Sequence, residues 1–119
     1  MDAQELISDK VNVHTSKSGD ETSSLLIEKG WFKDWIDVFR SAIAYALANE
    51  IEPKSDTPAG GKTWNAGSVD KDGAVSAVLA LHGYKVRPMI TAEGLAEAAL
   101  EEIGKRVRKG ESLSQIFLK

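Results

Sequence analysis

Hydrophobic positions recur in two ways along this chain, by alternation near its start and at helical spacing through most of the rest. Residues 10–16, KVNVHTS, alternate between apolar and polar side chains, which is typical of a half-buried strand. We expect one face to carry Val11, Val13 and Thr15 and the other to carry Lys10, Asn12, His14 and Ser16. A strand needs a partner for its backbone hydrogen bonds, and the remaining pattern is almost entirely helical.

Two helices are predicted directly after this strand. A turn at SKSGD leads into a short helix over residues 21–30, which Ser18 or Asp20 can cap. A long amphipathic helix follows within residues 32–51 and stops before Pro53. Its apolar positions follow the i, i+3, i+4, i+7 rule and are Trp35, Val38, Phe39, Ala42, Ile43, Ala46 and Leu47.

The second half of the chain predicts a long loop and two more helices. Residues 52–69 hold two prolines and three glycines without periodicity, so we expect a loop that is mobile apart from Trp64. Trp64 either anchors the loop to the core, which we favour, or is the contact that a partner uses. A helix is predicted over residues 72–83, and another begins after a Thr91 cap and ends in a basic last turn. Residues 112–119 are predicted to be an apolar tail that docks on the core or on a partner.

The order of strand, short helix and long helix within residues 10–51 resembles a ribbon-helix-helix unit. In the long helix, DVFRSAIAYAL places Arg40, Ala42 and Ile43 at the positions of the arginine, small and apolar residues of that pattern. The resemblance implies that the strand pairs antiparallel with the same strand of a second subunit. We therefore predict a mainly α, single-domain chain, with this unit followed by a helical remainder over residues 70–119. The alternative is an N-terminal arm that lies on the domain.

Composition narrows the class of protein. The chain has 119 residues, of which 42% are hydrophobic and 28% charged, as in ordinary globular domains. It has no cysteine, which excludes disulfides, thiolate zinc sites and a cysteine nucleophile. No apolar run approaches the ~20 residues of a membrane helix, and no secretion signal opens the chain. We expect a cytoplasmic protein without membrane contact, whose residues 1–9 are polar and loosely held.

The net charge of −3 argues against general binding of polyanions. Residues 1–51 carry five basic and nine acidic side chains, whereas residues 52–119 carry ten and nine. DNA binding therefore requires a local patch, and the outer face of a two-stranded ribbon is the natural candidate because such a ribbon fits the major groove. The residues predicted to contact DNA are Lys10, Asn12, His14, Ser16, Lys17, Lys33, Arg40 and Lys62.

Candidate catalytic chemistry is weak in this sequence. PAGGKT at residues 58–63 could cradle a phosphate, but Asp56 stands where the Walker A pattern needs glycine. The two histidines, His14 and His82, have no metal-ligand spacing around them. Asp70 and Asp72 precede a helix, where capping explains them better than catalysis. We predict no enzyme, no cofactor and no metal, and rank a phosphate or small-molecule site over residues 58–67 last.

A longer pattern begins at residue 39. FRSAIAYALANEIEP, NAGS, DKDGAVSAVLALH and AEGLAEAALEEIGKRVRKGESLSQI follow one another in the order found in DndE-type proteins of DNA phosphorothioation gene clusters, and the chain resembles that family over most of residues 10–113. The resemblance implies a non-enzymatic, DNA-associated homo-oligomer, a dimer or a higher even state, within a DNA sulfur-modification or related defence system. The alternatives are an oligomeric adaptor subunit without DNA contact and a ribbon-helix-helix transcriptional regulator.

Overall fold

The computed structural model describes residues 9–118, in which the chain is mainly helical with one two-stranded antiparallel sheet. This confirms the predicted mainly α class and the N-terminal strand. The prediction of a loosely held N-terminus concerns residues 1–9, of which residues 1–8 lie outside the described residues. In chain order the elements are β1 (Asn12–Ser16), α1 (Lys17–Glu28), α2 (Trp35–Ala48), β2 (Gly60–Asn65), α3 (Ala66–Val69), a 3₁₀ turn (Lys71–Gly73), α4 (Ala74–Leu81), α5 (Pro88–Arg108) and α6 (Leu113–Phe117).

The partner of β1 is β2 of the same chain, with Val13 opposite Trp64. The expectation that β1 lacks a strand partner within the chain is therefore wrong. The predicted loop over residues 52–69 is correct for 52–59 and wrong for 60–69, which form β2 and α3. The glycines at the start of β2 explain the pairing, since a Cβ on Gly61 would lie 2.4 Å from the carbonyl oxygen of Thr15. Only glycine allows the two backbones to approach this closely, where the register is irregular between His14 and Ser16.

The second edge of β1 is covered by α5. The Val11 carbonyl accepts from the Ala66 N–H. The backbone N–H and C=O groups of residues 11 and 13 therefore point toward β2, and those of residue 14 point away from it. The His14 N–H donates to the Glu93 carboxylate of α5 at 2.9 Å. Val11, predicted to be buried, is instead 74% exposed, because it precedes the part of the strand that packs on the core.

Helix α5 is the centre of the core and packs against α1, α2, α4 and β1. It begins at Pro88, three residues before the predicted Thr91 cap. The reason is a distant cap, since the carboxylate of Asp9 accepts hydrogen bonds from the Met89 N–H at 2.8 Å and the Ile90 N–H at 3.1 Å. A carboxylate at this end also suits the helix dipole.

Helix α1 follows β1 without a turn. The Ser16 hydroxyl caps it by accepting from the Gly19 N–H at 2.9 Å, so the helix starts at Lys17 rather than near residue 21. Neither Ser18 nor Asp20 is the cap. Asp20 instead accepts hydrogen bonds from the Thr15 hydroxyl and, at 2.9 Å, from the Lys62 N–H of β2. The strand-to-helix corner is thus fastened to the sheet.

The C-terminal helix α6 docks on the core, as predicted for the apolar tail. Phe117 makes edge-to-face contacts with Phe32 and Tyr45, with ring centroids 5.3 and 5.7 Å apart. The Tyr45 hydroxyl donates to Glu102 at 2.5 Å and accepts from Arg106 at 2.9 Å. Burial, reinforced by the Glu102 hydrogen bond and opposed by Arg106, raises the pKa of the Tyr45 phenol above its usual 10.0.

Replacing Tyr45 by phenylalanine should lower stability at neutral pH by about 0.5–1.5 kcal/mol for a lost hydrogen bond. Because its pKa is raised in the folded state, Tyr45 stabilises the fold fully below pH 10.0 and loses this contribution as pH rises through the folded value. Denaturant titrations of both proteins at neutral and alkaline pH should therefore show the difference between them shrinking above pH 10.0. A difference that grows with pH would contradict this assignment.

Candidate nucleic-acid interface

The β1–β2 ribbon presents one polar face away from the core. The register places Asn12 opposite Asn65 and His14 opposite Thr63, and directly paired residues point to the same side. Asn12, Thr63 and Asn65 are exposed. We call Asn12, His14, Thr63 and Asn65 the ribbon face. Asn12 therefore occupies the outward position that its alternation predicted.

The opposite side of the ribbon is packed on the core. Val13 is fully buried, and the ring of Trp64 lies against Phe39 of α2 with centroids 5.5 Å apart. Trp64 thus anchors β2, as expected for it in the sequence. With one side held by these contacts, the orientation of the ribbon face toward solvent is fixed.

His14 is committed to contacts within the chain. Its Nε2 donates to the Thr57 carbonyl oxygen at 2.8 Å, and its Nδ1 lies 3.0 Å from the Glu93 carboxylate. The side chain is only 23% exposed. Both ring nitrogens would have to leave these partners before His14 could contact a base edge. The structure therefore gives His14 a role in holding the 52–57 segment and α5 to the ribbon.

Lys10 and Ser16 also turn toward α5 instead of outward. The Lys10 ammonium lies 2.8 Å from both carboxylate oxygens of Glu93. Ser16 is buried, caps α1 and donates to Glu97 at 2.8 Å. The outward placement predicted for these two residues is wrong, because strand alternation ends where α1 begins and α5 covers this edge.

The remaining predicted basic residues divide into exposed lysines and one structural arginine. Lys17, Lys33 and Lys62 are exposed, and the Lys62 ammonium lies 4.5 Å from the centroid of the Trp35 ring. A Cβ on Gly60 would lie 3.6 Å from that of Lys17, so Lys17 stands beside the start of β2. Lys17 and Lys62 therefore lie next to the ribbon.

Arg40 is used to hold the connection between α3 and the following turn. Its Nε donates to the Val69 carbonyl at 2.9 Å, and its terminal nitrogen donates to the Ser68 carbonyl at 2.8 Å. These bonds satisfy carbonyls at the end of a short helix. In this arrangement Arg40 acts within the fold, and its predicted contact with DNA would require breaking these hydrogen bonds.

Two buried carboxylates on α5 were missed by sequence reasoning. The Glu93 carboxylate contacts both Lys10 and His14. The Oε2 atom of Glu97 is buried with no hydrogen-bond partner among the described residues. The available signal was their spacing, since two acidic residues at i and i+4 interrupt an otherwise small and apolar helical stripe. Within residues 9–118 no group of three or more His, Asp or Glu side chains is placed to hold a metal ion.

The other sequence motifs have structural roles. PAGGKT runs into β2, so Lys62 and Thr63 lie in a strand where a phosphate loop requires the start of a helix. Asp70 caps α4, accepting from the Val75 N–H at 2.8 Å and the Ser76 N–H at 3.1 Å. In the basic segment 105–109, Arg106 forms an ion pair with Glu111 at 2.7 Å.

Comparisons of the chain with protein-family models, with curated proteins and with solved structures each find no match. None of the helices in residues 9–118 has both the length and the apolar character to cross a membrane.

Proposed function

We propose that this protein is a non-enzymatic, DNA-associated protein that presents the ribbon face to duplex DNA. The observation that carries the proposal is a solvent-facing polar surface on an antiparallel ribbon whose other side is anchored in the core. A two-stranded ribbon fits the major groove, and an asparagine side chain can form two hydrogen bonds to adenine. Asn12 is the candidate base-reading residue, whereas the Oδ1 atom of Asn65, directly opposite it, accepts from the Gly67 N–H at 2.8 Å and caps α3.

The ribbon-helix-helix part of the proposal takes a modified form. The order of β1, α1 and α2 is kept, but β2 completes the ribbon within one chain. One chain therefore carries a whole reading surface. The resemblance to DndE-type proteins supports placing it in a cytoplasmic DNA sulfur-modification or related defence system, as a homo-oligomer that contacts other subunits there.

The electrostatics of the ribbon support modest DNA affinity. Lys17 and Lys62 lie beside the ribbon, and Lys33 precedes the helix that carries Trp35. Two or three phosphate contacts would give a plot of log binding constant against log salt with a slope of about −2 to −3. The nearby Asp20 carboxylate, which binds the Lys62 N–H, opposes stronger attraction.

A protein-interaction adaptor is the second candidate, favoured by an aromatic groove between α2 and α6. The groove has a volume of about 500 Å³ and is lined by side chains that include Trp31, Phe32, Tyr45 and Phe117. Tyr45 is buried and the other three are partly buried, and aromatic residues are enriched at protein-binding sites.

Replacing Asn12 by alanine should relax sequence preference on duplex DNA, at a cost of about 1–3 kcal/mol at the preferred base pair. Replacing Lys17 by alanine should instead weaken binding to all duplexes alike and reduce the salt slope by about one unit. Fluorescence anisotropy with a panel of labelled duplexes, titrated with salt, measures both effects.

The matched control for Lys17 is Lys109→Ala. Lys109 is exposed at the end of α5, roughly 24 Å along the helix from Glu93, and should leave DNA binding unchanged. Absence of duplex binding by the parent protein at about 50 mM salt would reject the DNA proposal and leave the adaptor as the better candidate.

A further inference from the structure

Helix α4 exposes an apolar stripe to solvent. Its sequence, AVSAVLAL, has no charged residue, and Leu79 is the one side chain it buries fully. Leu81 is 86% exposed and Val78 is 45% exposed. Ala74 and Ala77 are exposed as well and share the helical spacing of this stripe. We call Ala74, Ala77, Val78 and Leu81 the α4 face.

A groove lies beside the α4 face, between α2 and α4. It encloses about 180 Å³, and apolar side chains dominate its lining. The projecting side chain of Leu81 and this groove therefore belong to one surface. A surface that carries both a projecting side chain and a recess can pair with a copy of itself about a two-fold axis. The lining residues are Arg40, Ile43, Ala44, Leu47, Ala74, Val75 and Val78.

The charges at the two ends of α4 have opposite sign. Asp70, Lys71 and Asp72 precede the helix and are net negative, whereas Lys85 and Arg87 follow it. On the neighbouring α2 side the order of the charges is reversed, with a basic residue near the start of α4 and acidic residues near its end. Arg40 lies near the start of α4, where it binds the Ser68 and Val69 carbonyls, and Glu50 and Glu52 lie near its end beside His82.

We propose that a second copy of this chain covers the α4 face, with the two α4 helices antiparallel. This arrangement brings Asp72 of one copy near Lys85 of the other, and Arg40 near Glu50 and Glu52. A parallel arrangement would bring like charges together. The small side chains of Ala74 and Ala77 allow the helices to approach closely, and the uncharged centre offers no group that would bind a phosphate backbone.

This inference deepens the homo-oligomer included in the proposed function and names the face through which it forms. The α4 face contains none of the ribbon-face residues. Assembly can therefore be measured without DNA, and the loss of one property leaves the other testable.

The test is light scattering coupled to size exclusion at about 100 µM protein. The parent protein should run as an even multiple of 12.9 kDa. Leu81→Glu should raise the dimer dissociation constant by roughly 100-fold or more, since each dimer loses two buried leucines and must bury two carboxylates. Circular dichroism should show an unchanged fold, because Leu81 is 86% exposed in the monomer.

A matched control and a charge exchange complete the test. Val11→Glu changes another exposed apolar side chain, outside the α4 face, and should leave the molecular mass unchanged. Lys85→Asp alone should weaken assembly, and Asp72→Lys combined with Lys85→Asp should restore it. A monomeric parent protein, or a Leu81→Glu variant that assembles normally, would overturn the proposed interface. Failure of the exchange to restore assembly would overturn the antiparallel arrangement.

Discussion

Replacing Phe39 by alanine is expected to destabilise the protein by about 3–5 kcal/mol. Phe39 is 1% exposed, packs in the core from α2 and supports the ring of Trp64. The substitution would leave a cavity in the core and remove the contact that anchors β2. Urea denaturation, followed by circular dichroism, measures the loss.

The matched variant is Phe39→Leu, which keeps most of the buried volume and should cost clearly less than alanine. With Trp31 and Trp35 replaced by phenylalanine, Trp64 becomes the single fluorescent reporter. Its emission should shift to the red in Phe39→Ala and stay close to the parent's in Phe39→Leu. An unchanged denaturation midpoint for Phe39→Ala would show that α2 faces the core differently.

Helices α2, α4 and α5 could be predicted because each carries its own signal. In α2 the apolar residues at helical spacing are the ones that pack inward, from Val38 and Phe39 to Ala46. The ends of the helices could be predicted less well from the sequence. The cap of α5 comes from Asp9, about 80 residues earlier in the chain, and the Ser16 cap of α1 coincides with the last residue of a strand. Neither arrangement leaves a local pattern.

Strand β2 was missed because its sequence, GGKTWN, contains one large apolar side chain and no alternation. It forms a strand since β1 offers an unpaired edge and Gly61 permits a close approach to Thr15. This is a tertiary effect, which overrides the weak strand preference of glycine. Two glycines that indicate a loop in isolation here permit the contact that orders the segment.

For a related reason, the sequence predicted which side chains of β1 point inward and outward but not which of them contact α5. Alternation along residues 10–16 correctly put Val13 inward and Asn12 outward, since it reports which face a side chain occupies. It carries no information about what covers that face or the strand edge. Helix α5 covers part of it, and Glu93 and Glu97 draw Lys10, His14 and Ser16 away from solvent.

Removing the Glu93 carboxylate should be far more costly than removing that of Glu97, although both are buried on α5 one turn apart. Glu93→Ala should cost about 1.5–3 kcal/mol, the range for losing hydrogen bonds to a charged group, because the Lys10 side chain is 32% exposed and water can reach it. It leaves the Lys10 ammonium, the His14 ring and the His14 N–H without the acceptor they share.

The isosteric pair Glu93→Gln and Glu97→Gln gives the sharper comparison. Glutamine at position 93 loses the carboxylate charge that pairs with the Lys10 ammonium and should still destabilise the fold. At position 97 the amide oxygen can keep the Ser16 hydrogen bond, and the atom that is replaced has no hydrogen-bond partner among the described residues, so Glu97→Gln should cost less than Glu93→Gln. Denaturation midpoints at neutral pH decide between these outcomes. Equal losses from both substitutions would mean that the attraction between Glu97 and Lys54 stabilises the fold as much as the contacts of Glu93 do, and the contrast between the two carboxylates would be wrong.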